Sequence, residues 1–179
     1  MIKFDNVIKH FNTITAHRRL VRKYCFKIGL YRQGLLHDLS KYSPSEFIPG
    51  VIYYEGYRSP NALERDYLGY SAAWLHHKGR NKHHYEYWND HTGVSRGECL
   101  PVKMPRRYVA EMFCDRVAAS RIYNKENFNS RMPLEYFLGG KTNMPIHPDT
   151  SREIELLLRM YHKKGEAFTL SYIKNHYLK

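Results

Sequence analysis

The chain has 179 residues, 42% of them hydrophobic and 15% aromatic, and a formal net charge of +12 from 29 Lys and Arg against 17 Asp and Glu. That length suits one domain with a single core that folds without staples, and the charge favours anionic partners (nucleotides, nucleic acid or acidic headgroups) without choosing among them. Cys25, Cys99 and Cys114 form neither a disulfide framework nor a CxxC zinc pair, and no apolar run approaches the roughly 18 residues of a membrane span.

Taken in chain order, the pattern is helical nearly throughout. Phe4, Val7, Ile8, Phe11, Ile14, Val21, Cys25 and Ile28 recur at steps of three and four and predict one helical stripe, stopped by Gly29. The same opening segment mixes Lys, Asp and His into its apolar residues and does not read as a secretory signal, so a cytoplasmic protein is expected. A short helix is predicted from about Tyr31 to His37. Ser43-Pro44-Ser45-Glu46 reads as a capping box ahead of a third helix through Val51-Ile52. Another helix is expected after Ser59-Pro60, running through Leu63, Tyr67, Tyr70 and Trp74. The stretch from Gly79 to Pro101, with Gly93 and Gly97, reads as a loop with a helical turn near Tyr85 to Trp88. Pro105 opens a helix to about Tyr123. After Gly139-Gly140, a second capping box at Thr150 to Glu153 starts a helix that Gly165 stops, and a last helix spans about Ala167 to Tyr177. No period-two strand stands out. The expected fold is all-α: one orthogonal bundle of six to eight helices, with residues 1–125 as its functional core and 126–179 as a helical extension.

Three features carry chemistry. His17 fills the one gap of the first stripe and so faces inward. His37-Asp38 sits at a helix end, where adjacent side chains, about 100° apart on a regular helix, can reach one point. Asp115 lies mid-stripe among Tyr108, Met112, Ala119 and Ile122, where a buried carboxylate needs a cation or several donors; Arg106 or another basic residue is the ordinary structural partner. Imidazole and carboxylate together suit a divalent ion such as iron, manganese or zinc, with cobalt or nickel also compatible. Beyond them, His76-His77 and His83-His84 place four histidines within nine residues.

His17, His37-Asp38 and Asp115 on three predicted helices resemble the HD-domain superfamily of metal-dependent phosphohydrolases, in which such a quartet binds one divalent metal. His37-Asp38-Leu39-Ser40-Lys41 is similar to the His-Asp-x-Gly-Lys element of that superfamily's two-metal branch, with Ser for Gly; the Gly-Tyr-Pro element of its cyclic-dinucleotide phosphodiesterases is absent. The chain as a whole resembles an uncharacterised bacterial and phage family of HD-like proteins, through Tyr24-Cys25-Phe26-Lys27, Gly34 to Ser43, Trp74 to His77, Asn81 to His84 and His147 to Thr150.

The resemblance implies one or two divalent ions. His17, His37, Asp38 and Asp115 would hold the first, and His77, His83 and His84 the second, with His76 as the alternative to His77. It implies hydrolysis of a nucleotide or other small phosphate ester by a metal-bound hydroxide held by His37, Asp38 and Asp115, with Asp38 and Lys41 as the catalytic residues, Lys41 also binding the phosphate, and Arg18, Lys78 and Arg80 as further phosphate contacts. Two other functions stay open: an HD-like module that binds nucleic acid or nucleotide without hydrolysis, and a di-iron oxygenase. No membrane partner is expected. His147, before Pro148-Asp149, reads as a capping residue.

Overall fold

A computed structural model describes residues 3–91 and 97–179; Gly93 of the predicted loop lies outside them. The described residues form an all-α bundle of eight helices and one minimal hairpin. Helix α1 (Phe4–Lys27) is followed by α2 (Tyr31–Leu36), α3 (Pro44–Ile52), α4 (Pro60–Leu68) and α5 (Ala72–Lys78). Strands β1 (Asn89–His91) and β2 (Cys99–Pro101) pair antiparallel, with Asp90 opposite Leu100. Helices α6 (Arg106–Asn124), α7 (Met132–Gly140) and α8 (Pro148–Tyr172) complete the chain.

One core holds these elements together. Val21, Tyr24 and Cys25 of α1 meet Val109, Phe113, Cys114 and Val117 of α6, Phe137 of α7, and Ile154, Leu157, Leu158 and Tyr161 of α8. Each large side chain buried there contributes about 1.5–3 kcal/mol. The helices after residue 126 therefore share the core of those before it. Gly165 adopts φ 81°, a left-handed conformation that interrupts α8, as its predicted stop requires.

Several expectations change. The α1 stripe turns inward only from His10 and Ile14 onward, and Phe4, Ile8 and Phe11 are exposed. The predicted helix from Ser59 to Trp74 is two helices: Gly69 takes φ 79° and ends α4, and the Ser71 hydroxyl accepts from the Trp74 N–H to start α5. Neither capping box forms. Ser43 makes no cap hydrogen bond, and Glu46 turns away from it to two histidines. At α8 the start is Pro148, capped by His147 Nδ1 accepting from the Asp149 N–H, as expected of His147. Thr150 instead accepts from the Met104 N–H, and Glu153 accepts from the Tyr177 hydroxyl. The three-residue strands of the hairpin are too short to show a period, and α7 went unpredicted although Pro133 sits in its first turn.

Candidate metal centre

Helix α2 packs on α1 at Gly34, where a Cβ would stand 2.9 Å from that of Cys25. This close approach sets His37 opposite His17. Helix α2 stops at Leu36, and Asp38 takes φ 52°, left-handed and costly for a residue with a Cβ. That turn lets two adjacent side chains converge, with His37 Nε2 3.4 Å from Asp38 Oδ2. From α1, Arg18 donates to the His37 carbonyl at 2.7 Å and the Leu35 carbonyl at 3.3 Å, closing the end of α2.

Two ligand sets meet at Asp38. The first is His17, His37, Asp38 and Asp115. His17 Nε2 lies 3.0 Å from Asp115 Oδ1 and 3.6 Å from Asp38 Oδ2, and the two Nε2 atoms are 3.4 Å apart. The second is Asp38, His77, His83 and His84. Here Asp38 Oδ1 lies 3.3 Å from His77 Nε2 and 3.4 Å from His83 Nε2, while His77 and His84 Nε2 are 2.9 Å apart. Donors bound to one ion at about 2.0–2.2 Å stand about 3.0–3.5 Å from each other, so both sets are spaced to hold a cation. Asp38 divides its two oxygens between them. Its Oδ1 and the Nε2 of His83 are buried without a hydrogen-bond partner, a state that a divalent ion would relieve.

Of the paired histidines, His77 faces Asp38. His76, about 100° round α5, gives its Nδ1 to Glu46 Oε1 at 2.7 Å. The histidine loop folds back because Asn81 donates to the His77 carbonyl at 2.8 Å and to Ser40 Oγ at 2.9 Å.

Two carboxylates absent from the sequence expectation orient these rings. Glu111 Oε1 stands 3.0 Å from His37 Nδ1 and 3.3 Å from His83 Nδ1, and Glu46 Oε2 stands 2.7 Å from His77 Nδ1. Accepting the Nδ1–H directs each Nε2 into the centre. Glu111 also groups with His37 and His83 as three potential ligands. The ring atoms it meets are the Nδ1 atoms, so it serves as their acceptor. Gln33 donates to Glu111 Oε2 at 2.8 Å and holds it in place.

The electrostatics follow from burial and pairing. Burial alone would lower His37, but Asp38 and hydrogen bonds to Asp115 and Glu111 raise it well above the ordinary histidine value. His77 is likewise raised against burial by Asp38 and Glu46. Burial would raise Asp38, yet His37, Lys41 and His77 hold it well below the carboxylate range. Glu111 is brought down to about 2 against its burial by hydrogen bonds from His37 and His83. Burial, then His83 and His77, hold His84 well below its ordinary value. A divalent ion would compete with protonation at His37 and His77.

A cleft of about 700 Å³ opens beside the centre, and His17, His84, Asp115 and Lys41 line its inner end. Lys41 Nζ lies 3.0 Å from Asp38 Oδ2. Three expected phosphate contacts do not line the cleft. Arg18 is committed to the α2 carbonyls, Arg80 donates to the His76 carbonyl at 3.3 Å, and Lys78 lies on a different face of α5 from His77. Nor does Arg106 pair with Asp115; it donates to the Tyr177 carbonyl and stacks over that ring. The stripe of Met112, Asp115, Ala119 and Ile122 forms the cleft wall, while α6 packs on the core through Val109, Phe113 and Val117.

Among the described residues no helix is long and apolar enough to cross a membrane. No curated protein matches the chain, and no solved structure does. A family model matches residues 6–160, and the chain belongs to that family, DUF5662, a family of unknown function.

Proposed function

We propose that the chain is a metal-dependent phosphohydrolase acting on a nucleotide or another small phosphate ester. The observation that carries this reading is Asp38, buried and shared by two ligand sets that reach one cleft through His17, Asp115 and His84. Divalent ions held there would lower the pKa of a water molecule and offset charge on the phosphoryl oxygens. The residues supply the rest. Glu111 and Glu46 fix the rings, Asp38 ties the two sets together, and Lys41 presents a positive charge at the cleft wall. Asp38 holds Lys41 in its charged form against burial, so Lys41 serves as a binding cation and not as a base. In the reaction the ester P–O bond breaks and a water oxygen forms the new one. The water's protons end on the phosphate and on the leaving alcohol.

The test is reconstitution of the full chain with iron or manganese, elemental analysis, and a screen of nucleotides for phosphate release. Up to two ions per chain are expected, with phosphate release that Asp38→Ala abolishes. Absence of stoichiometric metal, or release unchanged in that variant, refutes the reading. Oxygen consumption by the iron form without phosphate release would assign oxidation instead.

A further inference from the structure

We infer that Arg116 is a second anion-binding residue of the cleft beside Lys41, and that the ligand it receives is a terminal phosphate group, making the substrate a phosphate monoester. Three cations line the cleft: Lys41, Arg58 and Arg116. Two already have carboxylate partners. Lys41 lies 3.0 Å from Asp38, and Arg58 is bound to Glu55 at 3.1 Å and Asp66 at 2.8 Å. Among the described residues no carboxylate pairs with Arg116, and nothing accepts from its Nε, which is shielded from solvent. Its guanidinium is held over the Phe137 ring, 5.5 Å from the centroid. A buried Nε–H without an acceptor is costly, and an anion drawn to the guanidinium would offset that cost.

Placement gives the chemistry. Arg116 follows Asp115, a residue of the first ligand set, and both line the same cleft. A guanidinium fork takes two oxygens of a phosphate side by side. A terminal phosphate group has three free oxygens, enough to engage the fork and still turn one toward His17, Asp115 and Lys41. A diester has two, and giving both to Arg116 leaves none for the centre. The selectivity claim rests on the phosphohydrolase reading; the anion site itself does not.

The experiment titrates inorganic phosphate into the full chain, metal-free and manganese-loaded, by calorimetry. Arg116→Gln should weaken phosphate binding roughly 10- to 100-fold in both forms, the value of a hydrogen-bonded charge pair, and Arg116→Lys should recover part of it. In parallel, kcat/KM for p-nitrophenyl phosphate should fall by a similar factor in the Gln variant, while that for bis(p-nitrophenyl) phosphate stays nearly constant. Phosphate affinity unchanged in a Gln variant of wild-type helicity overturns the anion site. Equal losses on both esters overturn the monoester assignment. If the Gln variant does not fold, the Arg116 Nε–H resonance of the wild-type chain decides: a shift on phosphate addition supports the site, and none at saturation overturns it. Should the wild-type chain cleave neither ester nor any nucleotide screened, the phosphohydrolase reading fails, while the phosphate titration still judges Arg116.

Discussion

Glu111→Ala removes one carboxylate oxygen that two histidines share. Its Oε1 meets His37 Nδ1 at 3.0 Å and His83 Nδ1 at 3.3 Å, and these rings belong to different ligand sets. Loss of such an orienting partner lowers metal affinity about 10- to 100-fold, or about 1.4–2.7 kcal/mol, for the ion served by that ring. One substitution should therefore weaken both ions by that amount. Glu46→Ala should weaken only the second, because among the ligands Glu46 meets His77 alone. The assay is a chelator-competition titration resolving two binding steps, with circular dichroism to verify the fold. If Glu111→Ala weakens a single step, or neither, the shared-acceptor reasoning is wrong.

The metal-free chain should be most stable near pH 6.5, the ordinary histidine value. His37 and His77 are raised in the folded state, so their contribution is complete below 6.5 and is lost as pH rises through their folded values. Asp38, Asp115 and Glu111 are lowered, and their contribution disappears as pH falls below the carboxylate range. His10, lowered to about 4 by burial and Lys41, acts in the same direction on the acid side. Thermal melts with a chelator should show that maximum, and a continued rise in stability above pH 6.5 would contradict it. Metal affinity should increase with pH over the same range, with proton release on binding measurable by calorimetry in buffers of different ionisation enthalpy. His77→Ala should lose one ion per chain by elemental analysis while His76→Ala keeps both. Gly34→Ala should destabilise by about 1–3 kcal/mol in urea, because the added Cβ meets Cys25 at 2.9 Å in a close-packed interface; a stabilised variant would show that α2 can shift freely.

Much of the centre was legible because polar residues interrupt apolar periodicity. His17 fills a gap in a stripe, Asp115 sits mid-stripe, and four histidines crowd nine residues. Glu111 and Glu46 were not. A glutamate within a helix ordinarily faces water, and the Ser43 to Glu46 spacing matched a cap that accounted for Glu46 locally. One signal for Glu111 was present: it stands four residues before Asp115 on α6, hence on the same helix face. Arg18 does not line the cleft because adjacency to His17 in sequence places it about 100° away around α1, toward the α2 carbonyls. Arg116 gave no sign, since its isolation from carboxylates is a property of the assembled cleft. The fold class followed from periodicity. The break at Gly69 did not, since a tyrosine-rich run on both sides continued the helical rhythm across it.

The ligands come from α1, the end of α2, α5, the loop behind it and α6, stretches from residue 17 to residue 115. An ion seated among them would act as a rivet through the bundle, adding to the hydrogen bonds that already join these segments. Occupancy at a thousand times Kd would add about 4 kcal/mol to the unfolding free energy. The fold's durability would then track free metal in its surroundings, and starvation for the ion would loosen the architecture as well as silence its chemistry.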